Sequence, residues 1–105
     1  MAITNTRLTT TNPTTVFEAV GQQAITTLYL CNTTASPVSF NMFVINSADS
    51  VGAAFDNMVY SSIELTANDT YVVDIEKLIL DNGDLVDVEA NVADCVTVTV
   101  SSITV

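Results

Sequence analysis

Apolar residues in this chain return at every second position over short runs, and no long stretch repeats at the 3.6-residue period of an amphipathic helix. Alternation of this kind is the mark of half-buried β-strands. In Pro37-Val-Ser-Phe-Asn-Met-Phe-Val-Ile45, the side chains of Val38, Phe40, Met42 and Val44 fall on one face and Ser39 and Asn41 on the other. Phe43 and Ile45 make the far end apolar on both sides, so that end is expected to meet a second buried surface. The run from Val59 to Leu65 groups Val59, Ile63 and Leu65 against Tyr60, Ser62 and Glu64, and Tyr71, Val73 and Ile75 repeat the pattern. After Asn82-Gly83, a two-residue turn signal, Val86, Val88, Ala90 and Val92 share a face opposite Asp87 and Glu89. Val96, Val98 and Val100 are in phase, whereas Ile103 and Val105 are not. A β-bulge at Ser101-Ser102 would restore the phase.

The strand candidates are 3–10, 15–19, 24–31, 38–45, 58–65, 70–75, 77–80, 85–90 and 95–105, with the weakest alternation in the first two and in 77–80. Ile75 to Leu80 could form one helical turn but is too short for an independent helix. Short strands at this spacing predict an all-β chain of about eight strands, an antiparallel β-sandwich or a small barrel. Residues 1–13, Thr-rich and broken at Asn12-Pro13, read as an N-terminal arm or edge strand, and 14–105 as a single sandwich domain. Asn46 to Asn57 is the longest expected loop and a candidate for partner contact.

Charge narrows the chemistry. Twelve Asp and Glu face two side-chain cations, Arg7 and Lys77, for a formal charge of -10. Two cations cannot neutralise a row of phosphates, so neither nucleic acid nor an anionic membrane is an expected partner. With no histidine, imidazole general bases, Ser-His or Cys-His pairs and His-containing zinc sites are excluded. A carboxylate pair of the glycosidase kind remains open in principle, but there is no Trp and only 3 Tyr to stack on a sugar. The expectation is a protein that is not an enzyme and has no catalytic residues, cofactor or metal.

Three smaller features point the same way. Asp81-Asn-Gly-Asp84 could gather oxygens round a hard cation, yet it lacks EF-hand spacing and reads more simply as turn chemistry. Cys31 and Cys95 lie in apolar runs and are expected as reduced thiols in or near the core, although the sequence leaves a disulfide open. Asn32-Thr-Thr34 and Asn68-Asp-Thr70 match the glycosylation sequon, but the opening residues lack the apolar run of a signal peptide and no window is long enough to span a membrane. A soluble protein made in a cytoplasm is expected, with both sequons accidental.

Soluble β-proteins guard open strand edges with Lys, and this chain has one. Its outward strand positions are rich in Thr, Ser and Asn. Uncharged faces and unguarded edges suit surfaces covered by other subunits, which predicts a homo-oligomer, with residues 2–13 as the first candidate for inter-subunit contact. The acids concentrate after residue 60, so the charge predicts a one-sided acidic surface and a nearly neutral, Thr-rich side.

The opening Met-Ala-Ile-Thr-Asn-Thr-Arg-Leu-Thr-Thr, the stretch Thr27-Leu-Tyr-Leu-Cys-Asn-Thr33, and Leu65-Thr-Ala-Asn-Asp-Thr-Tyr-Val-Val-Asp74 leading to Ile79-Leu-Asp-Asn-Gly-Asp84 resemble small virion proteins of tailed bacteriophages, especially marine cyanophage types. Taken in order, these pieces span most of the chain. The resemblance implies an antiparallel β-sandwich, immunoglobulin-like or jelly-roll, acting as a non-enzymatic structural subunit of the particle, a capsid decoration or a neck or tail component located in the virion and bound to other virion proteins. It supplies no catalytic residues. The alternative is a small binding module recognising a surface glycan or protein through the 46–57 loop, although Phe55 stands alone there and is expected to plug the core. A carboxylate hydrolase is third.

Overall fold

The computed structural model describes residues 2–48, 52–73 and 78–105, and within them nine strands form two antiparallel sheets packed as a sandwich. In chain order the strands are β1 (Ala2–Arg7), β2 (Thr14–Glu18), β3 (Gln23–Asn32), β4 (Val38–Ile45), β5 (Met58–Leu65), β6 (Thr70–Val73), β7 (Leu78–Leu80), β8 (Leu85–Ala90) and β9 (Val96–Thr104). One sheet has the order β1-β9-β3-β6, with β7 also on β3; the other is β2-β8-β4-β5. β6 pairs with Leu28 to Cys31 and β7 with Gln23 to Ile25, so the two short strands share one edge of β3.

The pairing is nested. β4 lies against β5, β3 against β6 and β7, β2 against β8, and β1 against β9, with successive pairs assigned to alternate sheets. A long antiparallel ribbon wrapped in this way is a jelly roll; two sheets rather than a closed barrel answer the strand pattern, and the nesting selects between the two connectivities that the resemblance implied.

Core residues come from the inward phase of each strand: Ile25, Leu28 and Leu30 from β3, Val96, Val98 and Val100 from β9, Val38, Phe40 and Met42 from β4, and Val86, Val88 and Ala90 from β8. Each large aliphatic side chain buried in this way contributes about 1.5–3 kcal/mol. Leu8, just past β1, is also fully buried. Between edge strands β5 and β6 the sandwich is closed by three rings, with centroids 5.6 Å apart for Phe40 and Tyr71 and 6.1 Å for Tyr60 and Tyr71.

Several phase assignments change. In β5 the register against β4 shifts between Phe40 and Met42, where Ser62 adopts φ 53. This bulge turns Tyr60 toward the core and leaves Val59 54% exposed, the reverse of simple alternation. At the other end of the chain the slip does not fall at Ser101-Ser102. β9 runs unbroken against β1, and the bulge lies in β3 between Ile25 and Thr27, where the Thr26 hydroxyl donates to the Ser101 carbonyl at 3.1 Å. Ser102 therefore takes an inward position, its hydroxyl buried without a partner. Phe43 and Ile45 are buried on the outer side of β4, as the doubly apolar end required. Val92 lies beyond β8 and is exposed; Ile75 and Lys77 fall outside the described residues.

Candidate functional site

Asp81 and Asp84 share one turn, closed by Asp84 N–H donating to the Asp81 carbonyl at 3.0 Å, and the Asp84 carboxylate serves that turn. Asp84 uses both oxygens on backbone donors, Oδ1 accepting from Ser47 N at 2.8 Å and Oδ2 from Asp81 N at 2.9 Å. These bonds favour the ionised form, and hold the Asp84 carboxyl below the ordinary Asp range, the Ser47 bond foremost. Gly83 has φ +90, and a Cβ there would come within 3.2 Å of Ser47 Cβ. The turn is thus built to fasten the strand connections. Among the described residues no group of three or more His, Cys, Asp or Glu could hold a metal ion.

The remaining candidates separate. Cys95 belongs to the core, while Cys31 is half-buried on the outer face of its sheet, and both thiols are free. Asn32 is fully buried: its amide donates to the carbonyls of Ser36, Leu65 and Thr66 at 2.8 to 3.2 Å, and its Oδ1 accepts from Thr34 N and Oγ1. An amide so engaged is a structural clamp that no glycan could reach. Asp87, expected on a solvated face, is only 8% exposed and accepts the Thr15 hydroxyl at 2.7 Å.

Phe55 reverses its expected role. It stands 89% exposed in a 3-10 turn, Phe55–Asn57, beside a groove of about 360 Å³ shared with Pro13, Phe43, Ala53, Ala54, Met58 and Glu89. A second groove, of about 430 Å³, runs between edge strands β1 and β2, lined by Thr4, Thr6, Thr15 and Phe17, with Glu18 as its carboxylate and Ser102 at its base.

The clearest asymmetry lies between the two outer sheet faces. The strands β2, β8, β4 and β5 carry Glu18, Asp87, Glu89 and Glu64; β1, β9, β3, β6 and β7 carry no acid at all and one cation, Arg7. Across the outer face of this second set, one row reads Arg7, Thr97, Cys31 and Thr70, and the next reads Asn5, Thr99, Tyr29 and Val72. Ile3, Tyr29, Val72 and Ile79 are among its exposed apolar side chains. In a protein of charge -10, the strands of one sheet thus present a hydroxyl-rich outer face on which the described strand residues carry no carboxylate. Burying such a face costs far less than desolvating ionised groups.

Sequence reasoning anticipated a neutral side without locating it. The signal was the absence of Asp and Glu from five particular strands, and recognising that set requires the order of the sheet. Arg7 closes one corner, its Nη2 donating to the Asp94 carbonyl at 2.6 Å and its Nε lying 3.7 Å from the Asp94 carboxylate. No protein-family model matches the chain, and no curated protein or solved structure is significantly similar to it.

Proposed function

We propose that this protein is a non-enzymatic structural subunit of a bacteriophage virion, a capsid decoration or a neck or tail component, which docks through the outer face of the β1-β9-β3-β6 sheet, whose described strand residues carry no carboxylate. The observation that carries the reading is the segregation of charge between the two sheets. An accessory subunit has to remain dispersed until it assembles and then pack in many copies; net charge serves the first need and an uncharged face the second. The resemblance of residues 1–10, 27–33, 65–74 and 79–84 to small virion proteins of tailed phages supports the same reading. So does the jelly roll, a frequent architecture of viral capsid domains, though by fold-level analogy alone. Mass spectrometry of purified particles from the encoding phage tests it: the protein is expected in the virion at stoichiometric amounts, and its absence from particles refutes the proposal.

A second reading rests on Phe55. An exposed aromatic beside a shallow groove can stack on a sugar, and jelly rolls also build lectins. A glycan array should then give hits that Phe55→Ala abolishes; no hits from the wild-type protein would remove this reading.

A further inference from the structure

We infer that β1 is a pairing edge for a second copy of this chain, which adds antiparallel with Asn5 on the two-fold axis to join two five-stranded sheets into one. This deepens the virion-subunit reading and rests on it for the biological setting in which copies meet.

The backbone geometry selects the edge and the register. Leu8 N donates to Val96 O at 2.9 Å, and Leu8 continues the register in which Thr6 faces Val98 and Thr4 faces Val100. Hydrogen-bonded and non-bonded pairs alternate along an antiparallel ladder. The even residues of β1 therefore direct their N–H and C=O groups at β9, and those of Ile3, Asn5 and Arg7 point away from the sheet.

The other described edges are interrupted. β2 follows Pro13 and shifts register between Thr15 and Phe17, β5 is bulged at Ser62, and β6 and β7 have four and three residues. β1 alone offers six residues in continuous register, without the Pro, Lys or bulge that usually blunts an edge.

A copy of β1 is its own best complement. With Asn5 opposite Asn5 of the second copy, Ile3 falls opposite Arg7 in both halves. All three outward N–H groups and all three outward C=O groups of each strand are then paired. Such self-complementarity is the requirement of a two-fold interface. On the outer face, Asn5 Oδ1 is taken by the Thr99 hydroxyl at 2.9 Å, which leaves the amide N–H groups of the two Asn5 side chains facing the axis. Electrostatics permits the approach, since the chain holds no acid before Glu18 and Asp94, beside the end of β1, is met by Arg7. A single strand pair is smaller than a standard interface, so the dimer is weak and forms on concentration.

Sedimentation equilibrium of the purified chain tests this with three variants. Asn5→Pro removes only an outward N–H, a position where an edge strand tolerates proline. Its circular dichroism should stay native and its dimer affinity should fall about a hundredfold, because the change counts twice across the axis. Ile3→Lys sets a cation opposite Arg7 of the second copy and should weaken the dimer, whereas Ile3→Glu should dimerise at least as well as wild type despite adding negative charge. The inference is overturned if the wild type is monomeric up to about 1 mM, if folded Asn5→Pro dimerises like wild type, or if Ile3→Lys associates more tightly than Ile3→Glu. Should Asn5→Pro not fold, the Lys and Glu pair decides. Particle mass spectrometry is read separately: a monomer present in virions defeats this inference alone, and a dimer absent from them defeats the virion reading alone.

Discussion

Ser47 N–H donates to the carboxylate of Asp84 at 2.8 Å, tying the loop after β4 to the turn between β7 and β8. With the bond from Asp81, it depresses the Asp84 pKa. A carboxyl whose folded pKa lies below its unfolded value stabilises the fold above the unfolded value, about 3.9 for Asp, and that contribution disappears as pH falls through the folded pKa. Thermal melts from neutral pH downward should show wild type losing stability below about pH 4, and Asp84→Ala should lose less over the same window. At neutral pH, Asp84→Ala should be less stable by about 1 kcal/mol. Parallel pH profiles for the two proteins would contradict the assignment.

The clamp at Asn32 should be the most expensive polar site to remove. Asn32→Ala deletes five hydrogen bonds made by a buried amide and leaves the Leu65 carbonyl without that partner. Urea titration should show a loss of about 2–4 kcal/mol, since each buried group left unsatisfied costs about 1–3 kcal/mol. A loss below about 0.5 kcal/mol, the range of an ordinary surface substitution, would show that water replaces the amide.

Ser62 has φ 53 in the middle of an edge strand, with its N–H donating to Asn41 Oδ1 at 2.6 Å. Glycine relieves a left-handed backbone and a β-branched residue aggravates it. Ser62→Gly should be neutral to stabilising by up to about 1 kcal/mol, and Ser62→Val destabilising by about 1–2 kcal/mol. Equal melting temperatures for both variants would mean that the bulge is absent in solution.

The two outer faces should respond differently to charge. Thr99→Glu puts a carboxylate in the centre of the acid-free face; it should change stability by less than about 0.5 kcal/mol yet abolish attachment to particles lacking the protein. Glu64→Gln on the other sheet should leave attachment intact. Loss of attachment by the Gln variant with retention by the Glu variant would place the docking surface on the wrong sheet.

Alternation made most of this fold readable. The runs at β4, β8 and the first half of β9 gave strand and inward face together, because each keeps one phase and lies centrally in a sheet; β3 was legible as a strand only, since its phase slips at Thr26. Where the reading failed, a bulge had changed the phase, and period-2 logic cannot say which of two paired strands carries the extra residue. The mismatch seen at Ser101-Ser102 was real, but Thr26 on the neighbouring strand absorbs it. Phe55 failed for another reason: an aromatic in a loop is expected to seek the core, and only the 3-10 turn Phe55–Asn57 shows that it stands outside. The neutral face was legible as composition and illegible as a place, since its members are spread from Ile3 to Ile103.

The nesting of the strand pairs also sets an order of events. β4 and β5 are joined by the shortest connection among the four nested pairs, whereas β1 and β9 bring together residues nearly a chain length apart. Loop closure grows more costly with separation, and folds dominated by distant pairings form slowly. The inner pair should form first and β1 should be the last strand laid down, so pulse-labelled hydrogen exchange should protect β4 and β5 amides before those of β1. The edge inferred to receive a second copy then exists only once everything beneath it is in place. Partly folded chains cannot offer it, so the inferred pairing admits only molecules that have finished folding.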